Sequence, residues 1–308
     1  MIKSFMRNKK IVVTGGAGFI GSHIVDELIE RGADVHVVDN FAGGKRKDRI
    51  NKQAKYHECD IRDQKSLSKI MRGAKYVFHK AALPRVEYTI EHPVESFEVN
   101  VQGTVAVLRA AYTAGVKRLV FASSAAVYGD QESMPLKEGV PVSPKSPYGL
   151  QKYTGELACK LWSELYKMEC ISLRYFNVYG SRFDPTGPYG LVVARFLTLR
   201  KDNMPLTIVG DGKNTRDYVN VRDVVRANML AMESKKVGHG EVINIGTGRE
   251  VSANQIAEMI GGPVTHVARR IEPKRACADV SKAKSLLGWE PAIALEDGIL
   301  ELKQSMKI

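Results

Sequence analysis

The sequence has few of the residues that build disulfide frameworks or metal centres. Its four cysteines, Cys59, Cys159, Cys170 and Cys277, are scattered through 308 residues and form no CxxC pair. The seven histidines are equally dispersed and show no metal-ligand spacing. We therefore expect no bound metal and a reducing compartment.

Long apolar runs are also missing. No stretch approaches the roughly 20 apolar residues that a membrane-spanning helix needs, and the first ten residues contain no apolar segment of signal-peptide length. We expect a cytoplasmic protein with no membrane partner. The chain has no internal repeat, and at 44% hydrophobic and 26% charged residues it has the composition of a soluble globular protein.

The charge balance is basic, with 46 Lys and Arg against 34 Asp and Glu and a net charge of +12. Such an excess can indicate a nucleic-acid partner. Here the positive residues are spread along the chain instead of forming one stripe. A basic pocket for an anionic nucleotide substrate explains the excess equally well, and we expect no nucleic-acid partner.

What the chain does have is a glycine-rich turn directly after its first strand candidate. The β-branched run Ile11-Val12-Val13 leads into Thr14-Gly15-Gly16-Ala17-Gly18-Phe19-Ile20-Gly21, followed by a helical stretch to about Arg31. Glycines at this GxxGxxG spacing allow a tight turn and close approach of the backbone to a pyrophosphate. The following helix offers free amides to the phosphates. The segment predicts a dinucleotide-binding site.

An acidic residue ends the second strand candidate. Asp39 follows Val35-His36-Val37-Val38, at about the distance expected of a carboxylate that binds the adenosine ribose hydroxyls. A carboxylate there repels a 2′-phosphate, so we predict NAD and not NADP. The cluster Lys45-Arg46-Lys47 could hold such a phosphate, but a solvated loop is the simpler interpretation.

Tyr148 and Lys152 form a YxxxK pair, which places both side chains on one face of a helix. This spacing is also common on exposed helices. Near an ammonium group, however, the pKa of a phenol is expected to fall from about 10 toward working pH. We therefore expect Tyr148 to act as a base toward a sugar or alcohol hydroxyl.

Strand-like and helix-like segments alternate over the first 175 residues. The strand candidates are at 11–13, 35–38, 55–58, 76–79, 117–122 and 170–174, with helical stretches between them that include 95–114 and 148–167. The alternation predicts an α/β fold with a parallel, doubly wound Rossmann sheet.

The regular alternation of strand-like and helix-like segments ends after Asn177, where Gly, Pro and Asp residues break up the apolar pattern. Residues 242–246 read as one more buried strand that rejoins the main sheet, and helices are expected near 253–260, near 280–287 and from about 295. We predict an NAD-binding domain at 1–177, to which about 218–247 returns. A smaller α/β substrate domain would comprise 178–217 and 248–308.

The combined motifs resemble the extended short-chain dehydrogenase/reductase family, and within it the nucleotide-sugar 4-epimerases. Besides the segments above, the markers are Asp39-Asn40, Asp60-Ile61, His79-Lys80-Ala81-Ala82, Asn100 to Thr104, Ser123 to Gly129, Arg174 to Asn177 and Thr215-Arg216-Asp217-Tyr218. Lys80 departs from the pattern, because that place is more often apolar.

The resemblance implies roles for individual residues. Ser124, Tyr148 and Lys152 would be catalytic, with Ser124 preferred over Ser123. The implied cofactor contacts are Gly15, Gly18, Phe19, Ile20, Gly21, Asp39, Asn40, Asp60, Ile61, Ala81, Ala82, Asn100, Tyr148, Lys152 and Tyr175. The implied contacts of a UDP-sugar are Ser124, Asn177, Arg216, Arg270, Ala276 and Cys277, with Arg275 as a further candidate.

The resemblance also implies a branch of the family. Related 4,6-dehydratases and decarboxylases carry acidic residues after the active hydroxyl residue, where this chain has Ala125 and Ala126. Alanine cannot do acid–base work, so simple 4-epimerisation through a 4-keto sugar is favoured. A UDP-glucuronate 4-epimerase and a non-catalytic NAD(H)-binding sensor remain alternatives.

Two further expectations rest on the same resemblance. The small residues Ala276 and Cys277 stand where a tyrosine restricts related enzymes to glucose and galactose, so N-acetylated sugars are predicted substrates as well. The helical stretches 95–114 and 148–167 carry more apolar residues than one sheet face needs, so we expect a homodimer.

Overall fold

The computed structural model describes residues 6–183, 192–268 and 274–308. The first half of the chain alternates strands with helices. Its elements are β1 (Lys10–Thr14), α1 (Phe19–Glu30), β2 (Asp34–Asp39), β3 (Lys55–Glu58), α2 (Gln64–Met71), β4 (Tyr76–His79), α3 (Val86–Glu91), α4 (Pro93–Phe97), α5 (Gly103–Thr113), β5 (Arg118–Ser124), α6 (Pro147–Tyr166) and β6 (Glu169–Tyr175).

Shorter strands mix with helices in the second half. Its elements are β7 (Asn177–Tyr179), α7 (Val192–Lys201), β8 (Leu206–Val209), β9 (Thr215–Arg216), β10 (Tyr218–Asn220), α8 (Val221–Glu233), β11 (His239–Ile245), β12 (Val251–Ser252), α9 (Ala253–Ile260), β13 (Val264–Val267), α10 (Ser281–Leu287) and α11 (Leu295–Met306).

Seven strands form one parallel sheet in the order β11-β6-β5-β4-β1-β2-β3. The direction of winding reverses between β1 and β4, since the chain builds outward from β1 through β2 and β3 and then returns to start β4 beside β1. Open sheets of this kind bind ligands at the carboxyl ends of their strands, next to such a reversal. The glycine-rich turn after β1 lies at that point.

Both faces of the sheet are covered by apolar packing. Residues of α1, α8 and α10 share one core cluster with inward residues of the strands, including Phe78 and Tyr175. Residues of α2, α5 and α6 share the other, which includes Phe121 and Cys159. The near-continuous burial of the central strands follows from this double cover.

A smaller lobe builds its own core from the second half of the chain. Residues of α7, β8, α9 and α11 pack together there. Three two-stranded pairs complete it, namely β7 with β10, β9 with β12 and β8 with β13. Strand β11 pairs with β6, so the buried strand predicted at 242–246 is confirmed as a strand of the main sheet.

The predicted α/β class and the predicted parallel sheet are therefore confirmed. The stretch 95–114 differs from one continuous helix, because α4 and α5 are joined by a π-helical turn over Glu98–Gln102. That turn carries Asn100, whose side chain is bonded to the loop after β4. The domain boundaries at 177, 217 and 247 stay a prediction.

No helix among the described residues is long and apolar enough to cross a membrane. Within the same residues, no group of three or more His, Cys, Asp or Glu side chains could hold a metal ion.

A buried ion pair joins α6 to the sheet. Arg174 on β6 donates from Nε and Nη2 to the two carboxylate oxygens of Glu156, at 2.8 and 2.7 Å. Ser123 Oγ donates to Glu156 Oε1 at 2.5 Å. Both charged side chains are almost completely buried, with 4% and 2% of their surface exposed. Each desolvated charge therefore depends on the other for its stability.

We predict that Glu156→Gln lowers the free energy of unfolding by roughly 3 kcal/mol, because it leaves the Arg174 guanidinium buried without a counter-charge. Urea denaturation followed by circular dichroism measures the loss. The control is Glu301→Gln, which breaks an exposed pair with Arg222 and should cost less than about 1 kcal/mol. Equal losses in the two variants would contradict the interpretation.

Candidate active site

The glycine-rich turn has a backbone that only glycine can follow at two places. Gly15 has φ +70°, and a Cβ built on it would lie 2.5 Å from the backbone nitrogen of Ala81. A Cβ on Gly21 would lie 2.1 Å from the carbonyl oxygen of Gly15. The turn therefore packs directly against the loop after β4.

Helix α1 begins at this turn without a side-chain cap. Gly18 is its N-cap residue, and no side chain bonds the first amides, which belong to Phe19 and Ile20. Uncapped amides and the positive end of the helix dipole together attract phosphate groups. The turn and the helix start thus fit the diphosphate of a dinucleotide.

Asp39 lies beside the turn, at the end of β2. One carboxylate oxygen accepts from the Ala17 amide at 3.0 Å and the other from the Phe41 amide at 2.9 Å. These bonds fix the carboxylate at the edge where the sequence places the adenosine ribose. Arg46 in the neighbouring basic cluster is engaged elsewhere, since it pairs with Asp48 and donates to the Phe183 carbonyl.

The next candidate cofactor residues follow β2 and β3. Asn40 is exposed and contacts Asp60 at 3.5 Å, and Asp60 pairs with Arg62 at 2.8 Å. That guanidinium lowers the pKa of Asp60. Ile61 is buried against Gly103 at the start of α5. These contacts lie at the carboxyl edge of β2 and β3, where the resemblance implies the adenosine of the cofactor.

Asn100 has a structural task that its sequence motif does not reveal. Its amide oxygen accepts from the Leu83 amide at 2.7 Å, and its nitrogen donates to the Leu83 carbonyl at 3.0 Å and to Gln151 Oε1 at 2.6 Å. The side chain thus ties the loop after β4 to α6. The implied cofactor residues Ala81 and Ala82 begin that loop and are half-buried.

The two neighbouring serines at the end of β5 have different partners. Ser123 is 2% exposed and donates to Glu156, as described above. Ser124 is half-buried, its Oγ accepts from the Ala126 amide at 3.1 Å, and its hydroxyl lies near enough to Tyr148 to lower the pKa of the phenol. Of the two serines, Ser124 is therefore the one that acts on the candidate catalytic tyrosine.

Helix α6 presents Tyr148 and Lys152 to the same place. Its start is set by Ser146, whose Oγ accepts from the Gly149 amide at 3.1 Å, and by Pro147 in the first turn. Lys152 is buried, and its Nζ donates to the Ala122 carbonyl at 2.8 Å and lies 5.7 Å from the centre of the Tyr148 ring. The structure thus brings Ser124, Tyr148 and Lys152 together at the carboxyl end of β5.

The expected fall in the pKa of Tyr148 is wrong. Burial raises the pKa of Tyr148 to about 12, and the hydrogen bond with Ser124 offsets only part of this rise. Burial also lowers the pKa of Lys152 to about 8. The reason is geometric, because the ammonium bonds a backbone carbonyl instead of the phenol oxygen, and desolvation then dominates both groups.

Tyr175 ends β6 with its hydroxyl already engaged. The hydroxyl lies 3.0 Å from Lys80 Nζ and 3.0 Å from Asn228 Oδ1 on α8. A cofactor contact by Tyr175, as the motif implies, would therefore be made by its ring or its backbone. The inward position of Lys80 was not predicted by the sequence, where its departure from an apolar residue was the only signal.

On the substrate side, Asn177 and Arg216 lie on the short strands of the smaller lobe. The Asn177 side chain donates to the Asp217 carbonyl at 3.3 Å, and Arg216 donates to the Thr215 carbonyl at 2.9 Å. Arg275 pairs with Glu250. Arg270 lies outside the described residues.

Ala276 and Cys277 are hydrogen-bonded through their backbones to two other segments of the chain, at Thr215 and at Leu136. The Ala276 amide donates to the Thr215 carbonyl at 3.2 Å, and the Cys277 carbonyl accepts from the Leu136 amide at 2.7 Å. Ala276 packs in the same apolar cluster as Ala125, the residue after Ser124. Cys277 is buried, which raises the pKa of its thiol to about 11.

Asp217 holds this region together, a role that the sequence did not predict. Its buried carboxylate accepts from the amides of Thr247, Gly248 and Ala278 at 2.7 to 3.1 Å, and from the Thr247 hydroxyl. One side chain therefore fixes three segments of the smaller lobe. The only signal in the sequence was its place inside the Thr215-to-Tyr218 motif.

Comparison with known proteins agrees with this geometry. Residues 11–246 match the NAD dependent epimerase/dehydratase family. A putative UDP-glucose 4-epimerase of Methanocaldococcus jannaschii is 42% identical over 96% of this chain and 98% of its own length.

Two solved structures are similar over nearly the whole chain. The UDP-glucose 4-epimerase of Thermotoga maritima, solved with UDP-glucose, has a TM-score of 0.91 at 38% identity and covers 97% of this chain and 100% of its own. The UDP-N-acetylglucosamine 4-epimerase of Methanobrevibacter ruminantium, solved with UDP-N-acetylmuramic acid, has a TM-score of 0.91 at 32% identity with the same coverage of 97% and 100%.

The glycine turn that admits no Cβ, the uncapped helix start and the carboxylate of Asp39 fit a dinucleotide, and the family match identifies it as NAD. The chain is a member of the NAD-dependent epimerase/dehydratase family, within the extended short-chain dehydrogenases/reductases that include the UDP-sugar 4-epimerases.

Proposed function

We propose that the protein is a 4-epimerase of UDP-hexoses that interconverts UDP-GlcNAc with UDP-GalNAc, UDP-Glc with UDP-Gal, or both. The observation that carries the proposal is the convergence of Ser124, Tyr148 and Lys152 at the carboxyl end of β5, on the same edge of the parallel sheet as the glycine turn. These groups suit the removal and return of a proton at the sugar C4 hydroxyl. NAD supplies the acceptor and donor of hydride when bound.

The proton is handled by the pair of hydroxyl groups. Ser124 contacts the Tyr148 phenol and lowers its pKa, and it can hold the substrate oxygen at the same time because a hydroxyl both donates and accepts. Tyr148 can take the C4 proton only as a phenolate, so its pKa of about 12 has to fall when NAD and substrate are bound. The positive charge of the oxidised nicotinamide ring would act in that direction. Tyr148 then takes the proton as the 4-keto sugar forms and returns it after the sugar has rotated within the site. Lys152 adds a positive charge on the same helix face.

The residues after Ser124 support epimerisation over elimination. Ala125 and Ala126 form the short 3-10 turn that follows β5 and carry no acid or base. A 4,6-dehydratase or decarboxylase on this scaffold would need one there. A non-catalytic NAD(H)-binding protein would have no need of a serine that lowers the pKa of a neighbouring tyrosine.

We predict that Tyr148→Phe keeps the bound NAD and lowers kcat by about 10²- to 10⁴-fold, because the proton acceptor is lost. Ser124→Ala should lower kcat more than Ser123→Ala, since Ser124 alone contacts Tyr148. The assay follows UDP-Glc and UDP-GlcNAc conversion by chromatography, and the NAD content of each variant is measured after acid release. A larger loss of turnover in Ser123→Ala would show that the wrong serine has been assigned.

We propose that the range of UDP-sugars the enzyme accepts depends on the small residues at 276 and 277. Ala276 and Ala125 pack against the same apolar cluster, and Ala125 directly follows Ser124, so a larger side chain at 276 is expected to reduce the space near the end of β5. Small residues there leave space for the N-acetyl group at C2. An alternative is a uronate substrate, whose carboxylate would need a nearby arginine such as Arg216.

We expect Ala276→Tyr to lower kcat/KM for UDP-GlcNAc and UDP-GalNAc by about 10- to 100-fold relative to UDP-Glc and UDP-Gal. Cys277→Tyr is made in parallel, and Ala276→Ser serves as the control that keeps a small side chain. UDP-glucuronate is included as the fifth substrate. If neither tyrosine variant lowers kcat/KM for the N-acetylated sugars more than for UDP-Glc and UDP-Gal, residues 276 and 277 do not control which sugars fit the pocket.

A homodimer is proposed from the outer face of α6. Its leucines Leu150, Leu157, Leu161 and Leu165 are 45 to 68% exposed and follow one another at spacings of seven, four and four residues. Val105 and Tyr112 on α5 are also exposed. A continuous apolar stripe of this kind is typical of a helix–helix interface between subunits.

We predict that the wild-type protein sediments as a dimer at micromolar concentration and that Leu161→Glu sediments as a monomer, because a carboxylate would be buried in the interface. Leu300→Glu is the control, since Leu300 is similarly exposed (54%, against 48% for Leu161) but lies on α11. Sedimentation velocity gives the masses. A monomeric wild type, or a dimer that survives Leu161→Glu but not Leu300→Glu, would exclude this face.

A further inference from the structure

The π-helical turn over Glu98–Gln102 holds the loop after β4, which comprises residues 80–85. The Asn100 side chain bonds both peptide groups of Leu83. Its oxygen accepts from the Leu83 amide at 2.7 Å, and its nitrogen donates to the Leu83 carbonyl at 3.0 Å. The Asn100 backbone is also engaged, because its carbonyl accepts from the Thr104 hydroxyl at 2.7 Å.

A chain of buried hydrogen bonds continues from Thr104 to the glycine turn. Because the Thr104 hydroxyl donates to Asn100, its oxygen accepts from His79 Nε2 at 3.0 Å. His79 Nδ1 then accepts from the Thr14 hydroxyl at 2.7 Å, since a neutral imidazole has one donor and one acceptor. Thr14 is the last residue before the glycine turn, and its oxygen lies 3.4 Å from the Ala81 amide. The π-helical turn is thus bonded to the end of β1 as well as to the loop.

The loop in turn lies directly against the glycine turn. A Cβ built on Gly15 would come within 2.5 Å of the Ala81 nitrogen, so the two backbones leave no free space between them. A displacement of the loop would therefore disturb the turn that fits the diphosphate of NAD.

Gln151 joins this arrangement to helix α6. It is fully buried and stands between Tyr148 and Lys152 in the sequence. Its Oε1 accepts from Asn100 Nδ2 at 2.6 Å, and its Nε2 donates to Ser96 Oγ at 2.8 Å. One side chain therefore fixes both α4 and the π-helical turn to the helix that carries the candidate catalytic pair.

We propose that Gln151 is a positioning residue for the cofactor. By anchoring the π-helical turn on α6, it holds the loop after β4 against the glycine turn and thereby slows the release of bound NAD. Gln151 acts through Asn100 and takes no part in proton transfer. The proposal does not depend on the epimerase activity proposed above, because NAD binding belongs to the family as a whole.

The test compares the release of NAD from purified wild type and Gln151→Met. Methionine fills a similar volume and adapts to irregular surroundings, so the core stays packed. Asn100 keeps its bonds to Leu83, and Ser96 keeps its bond to the Pro93 carbonyl. We expect Gln151→Met to release NAD roughly tenfold faster, which corresponds to the loss of about one net hydrogen bond. Retained NAD is separated by gel filtration at intervals and quantified after acid release. An unchanged release rate would overturn the proposal.

Ser163→Ala is the matched control on the same helix. Ser163 is buried in the last turn of α6, where its Oγ donates to the Met168 carbonyl at 2.9 Å and accepts from the Cys170 amide at 3.1 Å. The substitution removes two hydrogen bonds of α6 far from the loop and should leave the release rate of NAD as in wild type. Equal acceleration in both variants would indicate a general loosening of α6 and overturn the proposal.

A double-mutant cycle tests the route through Asn100. In an Asn100→Ala background, Gln151→Met should change the release rate less than about twofold, because its connection to the loop is already gone. A full tenfold effect in that background would show that Gln151 acts by another route and overturn the proposal.

Ser96→Ala gives a second measurement if Gln151→Met folds poorly. It removes the other anchor of the Gln151 side chain and leaves Asn100 intact. We expect a smaller rise in NAD release, of about threefold. No rise in Ser96→Ala would contradict an anchoring role for Gln151.

Discussion

The ion pair between Glu156 and Arg174 fixes helix α6 against the sheet, and the placement of the candidate catalytic groups depends on it. Tyr148, Lys152 and Glu156 follow one another at intervals of four residues, so all three lie on one face of α6. Glu156 bonds Arg174 on β6 and Ser123 on β5. The register of α6 along both strands is thereby set at a single point.

This one carboxylate also distinguishes the two serines at the end of β5. Ser123 points toward Glu156 on the α6 side of the sheet. Ser124 is the last residue of β5 and the N-cap of the 3-10 turn that follows, and at this strand end it lies near Tyr148 at the start of α6. Glu156 also favours the protonated form of Lys152, against the larger effect of burial. A residue outside the candidate site thus shapes both its geometry and its charge.

The sequence was sufficient for the sheet and for the glycine turn, because both depend on local patterns. Short β-branched runs and glycine spacing are set by backbone sterics, and they predicted β1 to β6 and the turn after β1 at nearly the observed positions. Even the return of β11 could be predicted, since a buried strand needs a partner. The candidate pair of Tyr148 and Lys152 came from motif spacing in the same way, and Ser124 came from the family resemblance.

What the sequence could not predict depends on contacts between distant segments. The pKa of Tyr148 was expected to fall and instead rises, because desolvation outweighs a lysine whose proton is bonded to the Ala122 carbonyl. The side chain of Asn100, which the family motif implies as a cofactor contact, also ties Leu83 to Gln151, and the motif did not predict this second role. The four bonds of Asp217 join residues that are 30 to 61 positions apart. No local pattern carries that information.

The return of β11 to the main sheet has a consequence for dissecting the protein. The chain passes between the two lobes three times, after β6, before α8 and after β11. The first and last of these connecting segments are hydrogen-bonded to each other, because the Phe176 amide donates to the Ile245 carbonyl at 3.0 Å. Neither lobe is a continuous piece of sequence. A fragment cut after residue 177 would lose β11 and α8, leaving β6 as a bare edge strand and uncovering the apolar surface of α1. Proteolysis in the loops between the lobes would therefore nick the chain without releasing either lobe as an independently folded unit.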